Sequence, residues 1–314
     1  MLTYHATTQS QLPELLEILL AHLPDELRQP RIELTLSGLQ TSGFGFQTSD
    51  SHNAQTPNQT RYEIFHYERN GEMIGGAFSM MRPDGTLLTL QPAVVPTEPE
   101  TTLRLIYETL LEVADAENAR LVMLLVDFQQ SADATLLDEY GFDKVSELLN
   151  LNAERAIFPT DCPTNRLSFR PYKNKLWDEM VALVEKTYKN TLDFPRLTGL
   201  VPADIILRGY QESHVFDPSL WFFIEYQSQI TGALLLSQID NSEHLELTYV
   251  GLTETFRGQG FFREIVHFSQ FFAKERNSSH LLVSVDLANI PALNTYFRCG
   301  FQIHDQKEIF VRFL

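Results

Sequence analysis

Arg257, Gly258 and Gly260 stand together in TETFRGQGFFREIV, Thr253 to Val266, just ahead of residues with helical periodicity. Backbone N–H groups that open a helix have no intrahelical acceptor, and with the helix dipole they attract an anion. Glycine removes the side chains that would hold such an anion at a distance. The stretch is therefore an ordinary turn or a phosphate cradle. No Gly-Lys-Ser/Thr follows, which excludes a P-loop. A dinucleotide-binding turn puts its first glycine directly after a strand. Here seven residues separate Val250 from Gly258.

Two further groups have proton chemistry. Glu246 lies in HLELTYVGL, where alternation places Leu245, Leu247 and Tyr249 on one face and the carboxylate on the other. An acid inside a central strand is a candidate base, because burial raises its pKa. On an outer face it is only solvated surface. Tyr296 follows an apolar strand on a short helical segment, as a core aromatic or as a phenol able to protonate a leaving group. Asn289 precedes Ile-Pro-Ala, so it caps that helix or holds a ligand.

The elements that must position these residues occur twice. RLVMLLVDFQQSADATLLDEYGF ends at Phe142 and HLLVSVDLANIPALNTYFRCGF at Phe301, with Asp127 and Asp286 in register at an offset of 159. Each copy reads as a short strand, helical stretches, a meander of strands, a crossover helix, a wholly apolar strand, a short helix and a last strand. Lack of alternation in the apolar strand implies burial on both faces beside a parallel neighbour. The fold class is thus α/β (α+β), two tandem domains each with a mixed, mostly antiparallel sheet flanked by helices. The boundary falls between residues 158 and 159, giving domains 1–158 and 159–314. Leu151 to Asn165, with Pro159 and Pro163, reads as the linker, and Thr41 to Thr60, polar and rich in small residues, as a mobile loop.

Charge narrows the partners. The formal charge is −17, of which residues 1–158 carry −14 and 159–314 carry −3. Nucleic acid is disfavoured, and a polyanionic ligand belongs on the second half. Two cysteines and nine histidines offer no metal-ligand spacing, so no metal is expected. No apolar run approaches membrane-spanning length and the start lacks a basic n-region, which places the protein in the cytosol, away from membranes. The sequence leaves the oligomeric state open and is compatible with a monomer.

Strand, Arg257-Gly258-Gln259-Gly260, helix, apolar strand, then Asn289-x-x-Ala292-x-x-x-Tyr296-x-x-x-Gly300-Phe301 resembles the coenzyme A-binding core of the GNAT superfamily of N-acetyltransferases. Phe262 departs from the pattern, standing where the family usually has glycine or alanine. The tandem layout is similar to that of mycothiol synthase, whose active domain is also C-terminal. The resemblance implies an acetyl-CoA-dependent transfer to a primary amine, of a small molecule or a peptide N-terminus. It implies cofactor contacts from Val250, Gly251, Leu252, Arg257, Gly258, Gln259, Gly260, Phe261, Phe262 and Asn289. Glu246 would be the base and Tyr296 the acid, while Tyr188, Thr191, Asp193 and Phe194 would flank the acceptor. A non-catalytic coenzyme A sensor is the alternative, and a tRNA-dependent aminoacyl transferase a weaker one.

The first copy lacks the reactive positions. Glu98, Pro99 and Thr101 stand opposite Arg257, Gly258 and Gly260, Leu87 opposite Glu246, and Leu137 opposite Tyr296. Glu98 and Glu100 repel a diphosphate and Pro99 removes a donor. The first copy is expected to be structural.

Overall fold

The computed structural model describes residues 2–41, 61–128, 134–163, 166–212, 216–239 and 242–314. The loop expected over Thr41–Thr60 lies outside these residues except for Thr41. The chain forms two compact units, Met1–Val145 with Glu308–Leu314, and Ser146–Lys307.

In the first unit, β1 (Leu2–Ala6), β2 (Arg61–Arg69), β3 (Glu72–Met81), β4 (Thr86–Leu90) and β6 (Leu121–Asp127) are consecutive neighbours, and β5 (Ala93–Val94) pairs with β3. Helices α1 (Leu12–Leu19), α2 (Asp25–Thr41), α3 (Glu100–Ala116) and α4 (Ala134–Glu139) join them. Leu12, Leu15, Leu16 and Leu19 recur at helical steps and are all buried, giving α1 one apolar face. The unit is completed by the end of β13 (Gln302–Phe313), where Phe310 joins the core of Ile106, Val122 and Leu137.

The second unit contains β8 (Leu167–Pro171), α5 (Trp177–Tyr188), α6 (Ala203–Glu212), β9 (Trp221–Tyr226), β10 (Gln229–Gln238), β11 (His244–Leu252), α7 (Phe261–Glu275), β12 (His280–Asp286) and α8 (Ile290–Arg298). Its strands run β8-β9-β10-β11-β12, and β12 pairs antiparallel with β7 (Asp143–Glu154) from Asp286↔Leu148 to His280↔Glu154. The stretch expected to be linker therefore begins inside a strand. Leu149, Leu151 and Ala153 alternate into the core, a period-2 pattern that continues past Leu151.

A partly buried acid gives the first unit a pH dependence. Burial pushes Glu63 on β2 up to about 7, with Glu117 adding to the rise and Arg61 opposing it. A carboxyl whose folded pKa is raised favours the native state below its unfolded value near 4.5, and that contribution is lost as pH rises through about 7. Glu63→Gln is expected to raise the melting temperature by about 2–4 °C at pH 8 and to leave it unchanged at pH 4. Thermal unfolding of the whole chain at the two pH values checks this, and equal shifts at both would refute it.

Candidate active site

The site begins where two parallel strands part. β11 and β12 pair only at His244↔His280, Leu245↔Leu281 and Glu246↔Leu282. Beyond that point β11 stays with β10 as far as Leu252↔Gly232, and β12 stays with β7 as far as Asp286↔Leu148. Each strand follows its outer neighbour, and a wedge opens with Glu246 at its apex. The cause is a bulge. Leu236 pairs with Leu247 and Leu235 with Tyr249, leaving Thr248 as the extra residue, and a bulge bends its strand and increases its twist.

The bulge corrects the alternation read from the sequence. Paired residues share a face, so Tyr249 lies with Leu235 on the face of Glu246, not on that of Leu245 and Leu247. On that face the Tyr249 hydroxyl meets Thr187 Oγ1 of α5 at 2.5 Å. Thr187 donates its own proton to the Val184 carbonyl at 2.6 Å, so Tyr249 is the donor. Gly251 makes this possible. A Cβ there would come within 2.5 Å of the Tyr249 hydroxyl and 2.7 Å of Thr187 Oγ1. Val250, Gly251 and Leu252 form the last paired segment of β11, and in an antiparallel pair alternate backbone groups face away from the partner, here toward the wedge.

At the mouth of the wedge the loop after α5 meets the end of β12. Asp193 accepts hydrogen bonds from the Asp286 N–H and the Asn289 amide, both at 3.4 Å. Phe194 donates its N–H to Asp286 at 3.2 Å and adopts a left-handed φ of 45°, rare for a bulky residue. Thr191 Oγ1 accepts from the Asp193 N–H at 3.1 Å. Burial raises the Asp193 carboxyl above its ordinary range, against the opposing Asn289 hydrogen bond. Asn289 also accepts from the Ala292 N–H at 3.3 Å, so it caps α8 as well as holding Asp193.

Tyr296 lies on α8, 2% exposed, edge-on to Phe262 at 5.4 Å and Phe301 at 5.1 Å. Burial raises its pKa far above the ordinary phenol value, and the Asp193 charge adds to this. Phe262 thus spends its ring on Tyr296. Tyr249 is likewise raised by burial and by Asp193, and Tyr188 packs edge-on against it at 6.1 Å. Thr187, Tyr249 and Asp286 were not singled out in the sequence. The repeat had aligned Asp286 with Asp127, and that register was the available signal.

Below the wedge lies the glycine turn. Gly258 and Gly260 both adopt φ of 75°, and Gly260 is the left-handed N-cap of α7. Among the described residues, a Cβ on Gly258 would meet nothing within 4 Å, and one on Gly260 would meet only Arg166 Nη2 at 3.9 Å. The open face can therefore receive a ligand against bare backbone, and among the described residues the N–H groups of Gly258, Gln259 and Gly260 meet no backbone acceptor. Phe261 and Phe262 begin the helix whose positive end points there. Arg257 turns inward instead. Its guanidinium donates to the carbonyls of Leu252, Lys189, Asn190 and Thr187 at 2.5–2.9 Å, which ties the turn to the end of α5.

In the first unit the parallel strands stay paired further, β4 with β6 through Leu90↔Leu125, and a one-residue shift in register comes where β3 passes from β4 (Ser79↔Thr89) to β5 (Gly76↔Ala93). Glu98, opposite Arg257, is held by Arg69 at 2.9 Å and by Thr102 at 2.8 Å.

No curated protein matches the sequence. Residues 179–301 match the model of the acetyltransferase (GNAT) family. Among solved structures, the chain is similar to a GCN5-related N-acetyltransferase from Sphaerobacter thermophilus, at 15% identity and TM-score 0.62, over 99% of this chain and 95% of that one. It is also similar to a tandem GNAT protein from the clavulanic acid biosynthesis pathway, at 11% identity and TM-score 0.58, over 100% and 98%. A glucosamine N-acetyltransferase region of a fungal multi-domain β-N-acetylglucosaminidase aligns at 13% identity and TM-score 0.64, over 99% of this chain and 38% of that one. These likenesses concern the fold. The family match falls within the second unit, over residues 179–301.

Proposed function

We propose that the second unit transfers an acetyl group from acetyl-CoA directly to a primary amine, and that the first unit is structural. The observation that carries this is the wedge: two parallel strands part at Glu246 directly before an open glycine turn, in the unit that retains both. A slot between strands accepts a slender arm, and bare N–H groups at a helix start accept its phosphates. Bound there, acetyl-CoA supplies the activated thioester.

The residues of the chain divide the remaining work. The backbone of Gly258, Gln259, Gly260, Phe261 and Phe262 holds the diphosphate, and Arg257 fixes the turn's shape. Backbone donors of Val250, Gly251 and Leu252 orient the arm and the carbonyl oxygen. Glu246 accepts the proton of the incoming ammonium, and Asp193 offsets its charge. Tyr188, Thr191 and Phe194 hold the wall that carries Asp193, and Asn289 orients the Asp193 carboxylate. Tyr296, kept protonated by burial, donates from its hydroxyl to the departing sulfur. No covalent enzyme intermediate is required.

Calorimetric titration with acetyl-CoA is expected to give one site per chain. Free-thiol release across a panel of small amines, amino sugars and peptide N-termini is expected to single out an acceptor class. Two equivalent sites would overturn the structural role of the first unit. Binding without thiol release for every amine would favour the sensor.

A further inference from the structure

We infer that Arg166, and not Arg257 of the glycine motif, is the side chain that contacts the diphosphate of bound coenzyme A. The inference rests on the function proposed above. Arg257 has five N–H donors, and four are given to backbone carbonyls. It is a strut.

Arg166 stands immediately before β8, outside the stretch that matches the family model. Its guanidinium lies over the Phe261 ring, 4.6 Å from the centroid, and reaches the turn from the open side. Nη1 donates to the Gln259 carbonyl at 3.1 Å and Nη2 to the Gly260 carbonyl at 3.2 Å. Each of these nitrogens carries a second N–H. The side chain is 44% exposed, and Nη2 is the atom that a Cβ on Gly260 would approach. An anion seated against the bare face of Gly260 therefore comes within reach of this guanidinium, whose planar fork suits phosphate oxygens.

A second effect works in the same direction. Glu264, in the first turn of α7 and 8% exposed, accepts from the backbone N–H of Arg166 and Leu167 at 3.0 and 2.7 Å and from Arg166 Nε at 3.2 Å. Its negative charge sits beside the site where the diphosphate is proposed to bind. Arg166 offsets that charge and keeps two N–H groups for the ligand. A sequence motif cannot show this, because Gln259 and Arg166 are far apart in the chain.

The test measures equilibrium binding, with acetyl-CoA, acetyl-dephospho-CoA and S-acetylpantetheine as probes. Arg166→Ala is expected to weaken both nucleotide forms by roughly 10- to 100-fold, the range for a lost charge-assisted hydrogen bond, and to leave S-acetylpantetheine unchanged. Arg166→Lys is expected to recover part of the loss. A loss confined to acetyl-CoA would put Arg166 at the 3′-phosphate and overturn the diphosphate assignment. An equal loss for S-acetylpantetheine would make Arg166 a support of the loop only. Full recovery in Arg166→Ala/Glu264→Gln would reduce its role to neutralising Glu264. Either result overturns the contact, as does an Arg166→Ala affinity within about threefold of wild type. A wild-type chain that binds no acetyl-CoA defeats the proposed function itself, an outcome distinct from all of these.

Discussion

Gly260→Asp is expected to abolish acetyl-CoA binding, weakening it more than about 100-fold, while the chain keeps its melting temperature within a few degrees. Gly260 adopts a left-handed φ of 75°, a region that aspartate enters more readily than most residues, so the backbone can keep its course. Among the described residues, the atom within 4 Å of the new Cβ is the end of the Arg166 side chain, so little is displaced. What changes is the open face, where a carboxylate now stands against the bare N–H groups and competes for Arg166. Gly260→Asn, of equal bulk and no charge, is expected to lose less. Thr101→Asp, at the matching place in the first unit, is expected to change nothing. Calorimetry on the three variants checks all of this, and equal losses from Gly260→Asp and Thr101→Asp would show that the cradle has been misplaced.

Tyr296→Phe is expected to lower turnover by roughly 100-fold or more while leaving acetyl-CoA affinity intact. The ring sits between Phe262 and Phe301, and phenylalanine keeps both contacts. Only the proton donor is lost. Because burial holds the phenol protonated well beyond neutrality, no alkaline fall in the wild-type rate should arise from this group. Glu246→Gln should behave differently. It cannot accept the ammonium proton, so its defect should shrink as pH rises and more amine arrives unprotonated. Rate profiles from about pH 6 to 9, with an acceptor found by thiol release, distinguish the two. Full activity in both variants would leave positioning alone to account for catalysis.

The glycine turn was legible because its preference is written in the backbone: positions at φ of 75° favour glycine, and the sequence has it at both. The duplication was legible for a similar reason, since Gly141 and Gly300 recur at the same offset, both with positive φ. The bulge was not. HLELTYVGL alternates without a turn residue to mark Thr248, and the register that moves Tyr249 to the other face is set by β10. The orientation of Arg257 was hidden for the same reason. Proximity to glycine suggested a ligand, while the carbonyls that capture it come from residues 187, 189, 190 and 252. Asp193 was read only as one of four residues flanking the acceptor. Only its burial beside Asp286 and Asn289 gives it weight.

The strand that completes the first unit has a consequence for how the chain is made. Phe310 belongs to the core built on Ile106, Val122 and Leu137, yet it is translated after the whole of Ser146–Lys307. At about 5–20 residues per second, a nascent first unit waits on the order of ten seconds with the side of β6 that β13 will cover still bare. A bare strand edge invites pairing with other chains. The half that has already emerged by then is the more acidic one, at −14 for residues 1–158, and like charge opposes association of such intermediates. Net negative charge on that half thus works against edge-to-edge pairing until β13 is in place.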